Sequence, residues 1–153
     1  MARIYENSIE IAASVESCDR CLTEPELMHR WLNPMLRCEA VGEWSVEVGD
    51  RFRFVVTVPV VDLSLDCAVR ERAPGLVVWE FAGFFVGSDR WDCQFQADNQ
   101  TRLLNRFEFE IPNLFVRVGF DLVAARLTQQ DMRSQLQRFK QVAEEISDRP
   151  RLD

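Results

Sequence analysis

The sequence predicts an α+β fold in which a curved antiparallel sheet of about seven strands wraps around one long C-terminal helix. Residues Phe120–Ile146 place apolar side chains at steps of three, four or seven, which is typical of one face of a helix. The preceding residues form short alternating segments separated by turn residues, which indicates strand hairpins. Because the helix must cover its apolar face, we expect the sheet to pack on it and to leave a ligand cavity beneath it. The apolar stripe consists of Leu122, Ala125, Met132, Leu136, Phe139, Ala143 and Ile146.

The first element is a half-buried strand over Arg3–Ala13, with Tyr5, Asn7, Ile9 and Ile11 on one face. Two short helices follow. Ser14 and Ser17 offer N-caps for a first helix that runs to about Leu22. In the second, Thr23 can cap, Pro25 fits the first turn, and Pro34 stops the helix after about Leu32.

Six further strands are predicted between turn residues such as Gly49-Asp50, Pro74-Gly75 and Gly87-Ser88. Their short connections favour an antiparallel meander. The strands are Met35–Val41, Arg51–Val58, Leu63–Arg72, Leu76–Phe84, Asp89–Ala97 and Thr101–Ile111. Alternation directs the following residues toward the helix: Phe52, Phe54, Val56 and Val58; Leu63, Leu65, Cys67 and Val69; Val77, Trp79 and Phe81; Trp91, Cys93, Phe95 and Ala97; Leu103, Asn105, Phe107 and Phe109.

Size and composition indicate a single globular domain over residues 1–147 with a frayed tail over 148–153. The chain has 153 residues, of which 47% are hydrophobic and 28% charged. It contains no apolar run long enough to span a membrane and no basic-then-apolar signal pattern. The cysteine count of five is odd and shows no disulfide spacing, so we expect free thiols and a cytoplasmic location.

The formal net charge of −7 argues against nucleic acid as a partner. Arg51 and Arg53 share one face of a predicted strand, and Arg70 and Arg72 share a face of another. These pairs could form a local basic surface, but alternating arginines are usually the solvent-facing side of a sheet.

The order of strand, two short helices, meander and long helix resembles the helix-grip fold of the START/SRPBCC superfamily, which includes polyketide cyclase/dehydrase-like and lipid-binding proteins. Three segments carry the resemblance: Ser8–Ser14, Thr23–Leu27 followed by Trp31 and Pro34, and Gln100–Leu103. The resemblance implies a pocket between sheet and helix for an apolar ligand. Only some members are enzymes, and no catalytic motif common to all can be carried over.

Metal, redox or triad chemistry finds little support in the sequence. Cys18 and Cys21 form a Cys-x-x-Cys pair, but no second pair accompanies it, so we expect both to face the core and no metal or cofactor to bind. His29, the only histidine, is expected to face solvent. No serine lies in a Gly-x-Ser-x-Gly turn.

Polar residues at inward positions are the candidates for orienting a ligand. Asn7 and Asn105 should bond each other, water or a ligand, or else satisfy backbone groups. Gln129 is predicted to point inward from the long helix, while Arg126 either reaches solvent or pairs with an anionic ligand. The predicted ligand-binding residues are Asn7, Phe54, Cys67, Trp79, Phe81, Trp91, Cys93, Asn105, Phe107, Gln129 and Met132.

Paired-carboxylate catalysis is not favoured, because Asp66 and Asp92 have outward parity while Asp62 and Asp89 fall at turns. The apolar segment Pro112–Phe120 could line the pocket mouth or form a subunit contact, so a homodimer is possible.

Three functions therefore remain open. The leading one is binding of a hydrophobic small molecule, such as a lipid or polyketide, in the cavity. The first alternative is a polyketide cyclase or dehydratase acting in the same cavity. The second is a chaperone-activator-like interaction module, because the segment around Trp31 also resembles such proteins. This alternative predicts a filled, dry core and an exposed apolar surface.

Overall fold

A computed structural model describes residues 2–57, 62–114, 117 and 125–147 of the chain. The predicted tail, Val58 and the first part of the predicted long helix lie outside these residues. In chain order the elements are β1 (Arg3–Ile11), α1 (Val15–Thr23), α2 (Pro25–Trp31), β2 (Leu36–Ala40), β3 (Arg51–Thr57), β4 (Asp62–Ala73), β5 (Leu76–Gly83), β6 (Val86–Ala97), β7 (Gln100–Glu110) and α3 (Ala125–Ser147).

The seven strands form one antiparallel sheet in the order β1-β7-β6-β5-β4-β3-β2. Strands β2 to β7 make the predicted meander, and β1 adds to β7, so that the first and last strands lie side by side. The predicted α+β helix-grip architecture is confirmed. None of the helices within the described residues combines the length and apolarity needed to cross a bilayer.

The short helices begin and end largely where the sequence predicts. The Ser14 hydroxyl caps α1 by accepting from the Ser17 backbone N–H at 3.1 Å. Pro25 occupies the first turn of α2, where a missing N–H costs nothing, although Thr23 lies in α1 and Glu24 takes the N-cap position.

The C-terminal half of α3 packs tightly on α1, α2 and β1. Phe139 is fully buried against Trp31 and Trp91, with ring centroids at 5.3 and 5.8 Å. The Arg138 Nε donates to the Trp31 carbonyl at 2.9 Å, and Glu144 accepts from the Ala12 N–H at 2.9 Å. This end of the helix therefore has no space for a ligand.

Two register shifts change predicted side-chain directions. The first lies between Val69 and Glu71 of β4 and separates the faces of Arg70 and Arg72. Arg70 pairs with Glu80, whereas Arg72 turns to Asp19 of α1, its Nη1 lying 2.7 Å from Oδ1.

The second shift lies between Phe95 and Ala97 of β6, at the end of its hairpin with β7. Alternation stops there, and Phe95 is 67% exposed. The predicted inward direction of Phe95 and Ala97 is therefore wrong, since both are exposed.

Candidate functional site

A cavity of about 300 Å³ lies between the sheet and the first described turns of α3. We call it the sheet–helix cavity. Eight aromatic rings line it, and α3 contributes polar groups and one methionine. The lining residues are Trp31, Leu32, Asn33, Met35, Leu36, Phe54, Val56, Leu65, Trp79, Phe81, Phe84, Phe85, Asp89, Trp91, Phe107, Thr128, Asp131, Met132 and Gln135.

Six of the predicted ligand-binding residues line this cavity. The pleat of β3, β5, β6 and β7 sends alternate side chains to the helix side, and α3 adds Met132 from above. Phe81 stacks on Phe107 at 5.4 Å, and Trp79 meets Phe54 at 5.9 Å. The six are Phe54, Trp79, Phe81, Trp91, Phe107 and Met132. Their role in ligand binding stays a prediction.

The two predicted cysteines do not line the sheet–helix cavity, although both are buried. Cys67 lies beside Phe81 in the register of β4 and β5 and donates weakly to the Leu65 carbonyl. Cys93 hydrogen-bonds with Cys18 of α1, and this bond lowers the pKa of the Cys18 thiol and raises that of Cys93. Cys93 therefore belongs to the contact between α1 and the sheet.

The two predicted asparagines lie opposite each other but take other roles. Asn7 and Asn105 are register partners in β1 and β7, and only Asn105 is fully buried. Its Nδ2 donates to Asp89 Oδ1 at 2.7 Å and to the Arg90 carbonyl at 3.1 Å. Asn105 therefore positions a carboxyl group that lines the cavity, and neither asparagine lines it directly.

The prediction that Gln129 points inward is wrong, because its side chain is exposed. The buried face of α3 centres on Phe139. At about 100° per residue, Gln129 lies roughly 80° from Phe139 around the helix axis, whereas Gln135 lies roughly 40° away. Gln135 is buried and lines the cavity, where its Nε2 donates to Asp131 Oδ2 at 2.8 Å. The side chain of Arg126 lies outside the described part of the chain.

Asp89 is the residue that the sequence analysis missed. The predicted strand began at Asp89, but β6 begins at Val86, so that Asp89 is an interior position on the same face as Trp91. Its register partners are Trp79 and Phe107, both of which line the cavity. The sequence does indicate this direction, because Asp89 lies two residues before Trp91 and two such residues share a face of a strand.

The extended start of β6 explains this error. The sequence predicts a turn at Gly87, yet this residue pairs with Phe109 inside the sheet. A Cβ at this position would lie 2.0 Å from the Glu108 carbonyl oxygen, so the close approach of β7 requires glycine.

The Asp89 carboxyl is held at both oxygens and almost removed from water. It is 8% exposed, and it accepts from Asn105 at Oδ1 and from Trp91 Nε1 at Oδ2, the latter at 2.9 Å. Burial disfavours the charged form and raises the pKa of Asp89 to about 7, although both hydrogen bonds lower it. A carboxyl with this pKa can exchange a proton near neutral pH.

His29 links α2 to β2 at the exposed side of the molecule, as its predicted exposure suggested. Its Nε2 accepts from the Cys38 backbone N–H at 3.1 Å, and its Nδ1 lies 2.8 Å from the Pro25 carbonyl oxygen. Accepting at Nε2 requires the tautomer that carries its proton on Nδ1. Both ring nitrogens are thus used in structural bonds.

Two features bear on metal binding, namely the buried thiols of α1 and the arrangement of possible metal ligands. Cys18 and Cys21 are fully buried, and burial raises the pKa of the Cys21 thiol to about 12. Within the described ranges no group of three His, Cys, Asp or Glu side chains is arranged to hold a metal ion.

The outer face of the sheet carries a wider depression of about 720 Å³. Its rim is charged, and Arg70 on this rim lies 3.3 Å from Glu80, with both side chains 59% exposed. On the same face Arg53 pairs with Asp66 at 3.1 Å. This surface is the solvent-facing side of the sheet, where Asp66 and Glu80 pair with two arginines of the basic patch considered from the sequence, Arg53 and Arg70.

The comparisons with known proteins agree with this architecture. The model of the family described as "Polyketide cyclase / dehydrase and lipid transport" matches residues 2–144. No curated protein matches the sequence.

Three solved structures illustrate the likeness of fold. A Thermus thermophilus protein has a TM-score of 0.75 at 15% identity, with 95% of this chain and 100% of that chain covered. The Zhui aromatase/cyclase of a Streptomyces species has a TM-score of 0.72 at 16% identity, with 95% of each chain covered. A norcoclaurine synthase of Thalictrum flavum has a TM-score of 0.66 at 14% identity, with 95% and 96% covered.

Because these identities are low, the solved structures support the fold alone. The family model, in contrast, covers almost the whole sequence. The chain belongs to the polyketide cyclase/dehydrase and lipid transport family, in the START/SRPBCC superfamily with the helix-grip fold.

Proposed function

We propose that this protein binds a hydrophobic small molecule, such as a lipid or polyketide, in the sheet–helix cavity. The observation that carries the proposal is a space of about 300 Å³ lined by eight aromatic rings. Burying apolar ligand surface contributes about 25 cal/mol per Å², so such a lining can supply affinity without many polar contacts. The family description, which includes lipid transport and polyketide cyclases, supports the same class of ligand.

The groups that orient the ligand differ from those predicted by the sequence. Asp89 from the sheet and Gln135 and Asp131 from α3 line the cavity in place of Asn7, Asn105 and Gln129. A few placed polar groups in an apolar cavity fix orientation, because an unpaired buried polar atom is costly.

Ligand retention and cavity blocking test the proposal together. Native and then denaturing mass spectrometry of the protein from its producing cells should release a retained apolar molecule. Val56→Phe, which adds a ring at the cavity wall, should reduce the retained ligand and the binding of an apolar fluorescent probe. Val86→Phe is the matched control, because Val86 is exposed on β6 and does not line this cavity. Equal probe binding by both variants and the wild type would refute the proposal.

A second candidate function, an enzyme of the cyclase or dehydratase type, is favoured by one observation. Asp89 places a carboxyl with a pKa near 7 beside the ligand space, where it could take a proton from a bound chain or give one to it. If a substrate is identified, Asp89→Asn should abolish its turnover at saturating substrate concentration. Unchanged turnover would exclude Asp89 as the proton-transfer group.

No observation specifically favours the interaction module, because that alternative requires a filled core and the described residues leave a cavity. The homodimer and the cytoplasmic location stay predictions.

A further inference from the structure

The titratable side chains that line the sheet–helix cavity are all acidic among the described residues. Among the described residues that line it, Asp89 and Asp131 are the titratable groups, and no lysine, arginine or histidine accompanies them. Eight of the 17 remaining lining residues are aromatic. The cavity wall thus offers carboxyl oxygens, which attract positive charge, and aromatic rings, whose faces do so as well.

The two carboxyl groups are not equivalent. Asp131 already has a cationic neighbour in Arg138, whose Nη2 lies 3.8 Å from Oδ1, and it accepts from Gln135. Asp89 is bonded by two neutral donors, the indole N–H of Trp91 and the amide of Asn105. Within the described part of the chain, no positive charge contributes to the pKa of Asp89, and burial therefore raises that pKa.

A buried carboxylate without a counter-charge is costly, and a bound cation would offset part of that cost. A ligand carboxylate at the same place would instead repel Asp89 or require it to stay protonated. The rings around Asp89 add a second attraction. Its register partners Trp79 and Phe107 line the same space, and an aromatic ring stabilises a desolvated ammonium group placed over its face.

Building on the proposed function, we propose that the natural ligand is an apolar amine whose ammonium group pairs with the Asp89 carboxylate inside the aromatic lining. The apolar body of the ligand fills the cavity, and the single charge sets its direction. The same groups disfavour the binding of apolar carboxylic acids. The assignment concerns ligand chemistry and requires no chemical step.

A matched set of probes tests the assignment. Naphthylmethylamine, naphthalenemethanol, naphthoic acid and naphthalene share a ring system and differ in charge and donors. Titration of the wild-type protein near neutral pH, followed by calorimetry and by quenching of tryptophan fluorescence, should rank the amine first. We expect the amine to bind at least about tenfold more tightly than the acid. The amine should also lower the pKa of Asp89, read from its carboxyl carbon by NMR.

Variants separate the charge of Asp89 from the apolar contacts. Asp89→Asn should weaken the amine about tenfold or more and change naphthalenemethanol less than about threefold. Asp92→Asn is the control, since Asp92 lies on the same strand but does not line the cavity. The ranking of the probes is measured on the wild-type protein, so it does not depend on whether a variant folds.

Failure of the amine assignment and failure of the proposed function would give different results. If the acid binds as tightly as the amine, or if Asp89→Asn folds and binds the amine unchanged, the amine assignment is refuted while ligand binding stands. If none of the four probes binds, naphthalene included, the proposed function falls and the amine assignment falls with it.

Discussion

Replacing Asp89 by asparagine should change how stability depends on pH. Asparagine has nearly the shape of a protonated carboxyl group but cannot ionise. In the wild type, the pKa of Asp89 rises from its ordinary value of 3.8 to about 7 on folding because the group is buried. Between these pH values the unfolded chain releases the proton while the folded chain keeps it.

The sign and size of the effect follow from proton linkage. The folded state binds more protons in this window, so wild-type stability falls as pH rises, by up to about 1.4 kcal/mol per pH unit. From about pH 4.5 to about pH 7.5, the contribution of Asp89 should fall by about 3 kcal/mol and then level off. In Asp89→Asn this contribution is absent.

Urea unfolding of both proteins at several pH values across this window measures the difference directly. The free energy of unfolding of Asp89→Asn, minus that of the wild type, should grow with pH up to about neutrality, and other titrating groups should cancel in the subtraction. A difference that stays constant with pH would show that Asp89 titrates normally in the folded protein. Burial would then not raise the pKa of Asp89, which would refute the expected pH dependence.

Three further predictions concern the core, an ion pair and a thiol. Phe139→Ala should lower the free energy of unfolding by about 3–5 kcal/mol in urea titrations, because Phe139 is fully buried. The exposed control Phe95→Ala should change it by less than about 0.5 kcal/mol. Similar losses in the two variants would contradict the packing described. Asp19→Asn should cost about 1–3 kcal/mol by thermal unfolding, because Asp19 accepts from both terminal nitrogens of Arg72 at 2.7 and 2.9 Å, and an unchanged Tm would argue against that bond. Cys21 should resist iodoacetamide in the native protein and react on unfolding, since burial raises its pKa to about 12; rapid native labelling, located by peptide mass spectrometry, would contradict this.

The aromatic part of the site was predictable because strands alternate with a period of two. Phe54, Trp79 and Phe107 could be placed on the inner face from neighbouring residues alone. Alternation failed for Phe95, where a register shift at the hairpin end cannot be read from periodicity. The predicted start of β6 also lies three residues too late, so that the prediction places Asp89 at a turn and not inside the strand.

In α3, too, one part of the arrangement could be predicted from periodicity and another part could not. A stripe of apolar residues indicates that α3 is amphipathic, but the centre of its buried face depends on which residues contact α1, α2 and β1. Contacts around Phe139 rotate Gln129 outward and Gln135 inward, although both interrupt the apolar pattern. Periodicity alone could not separate them.

The amino-acid sequence by itself determined the first strand, the six-stranded meander, the two short helices, the long helix and the aromatic inner face, because these depend on local period and turn residues. The tertiary structure alone decided that Phe139 fills one end of the sheet–helix contact while the other end stays open. It also decided that a carboxyl group is buried at that open end. Burial and pKa are set by neighbours distant in sequence, and Asp89 owes both to strands β5 and β7 on either side of it.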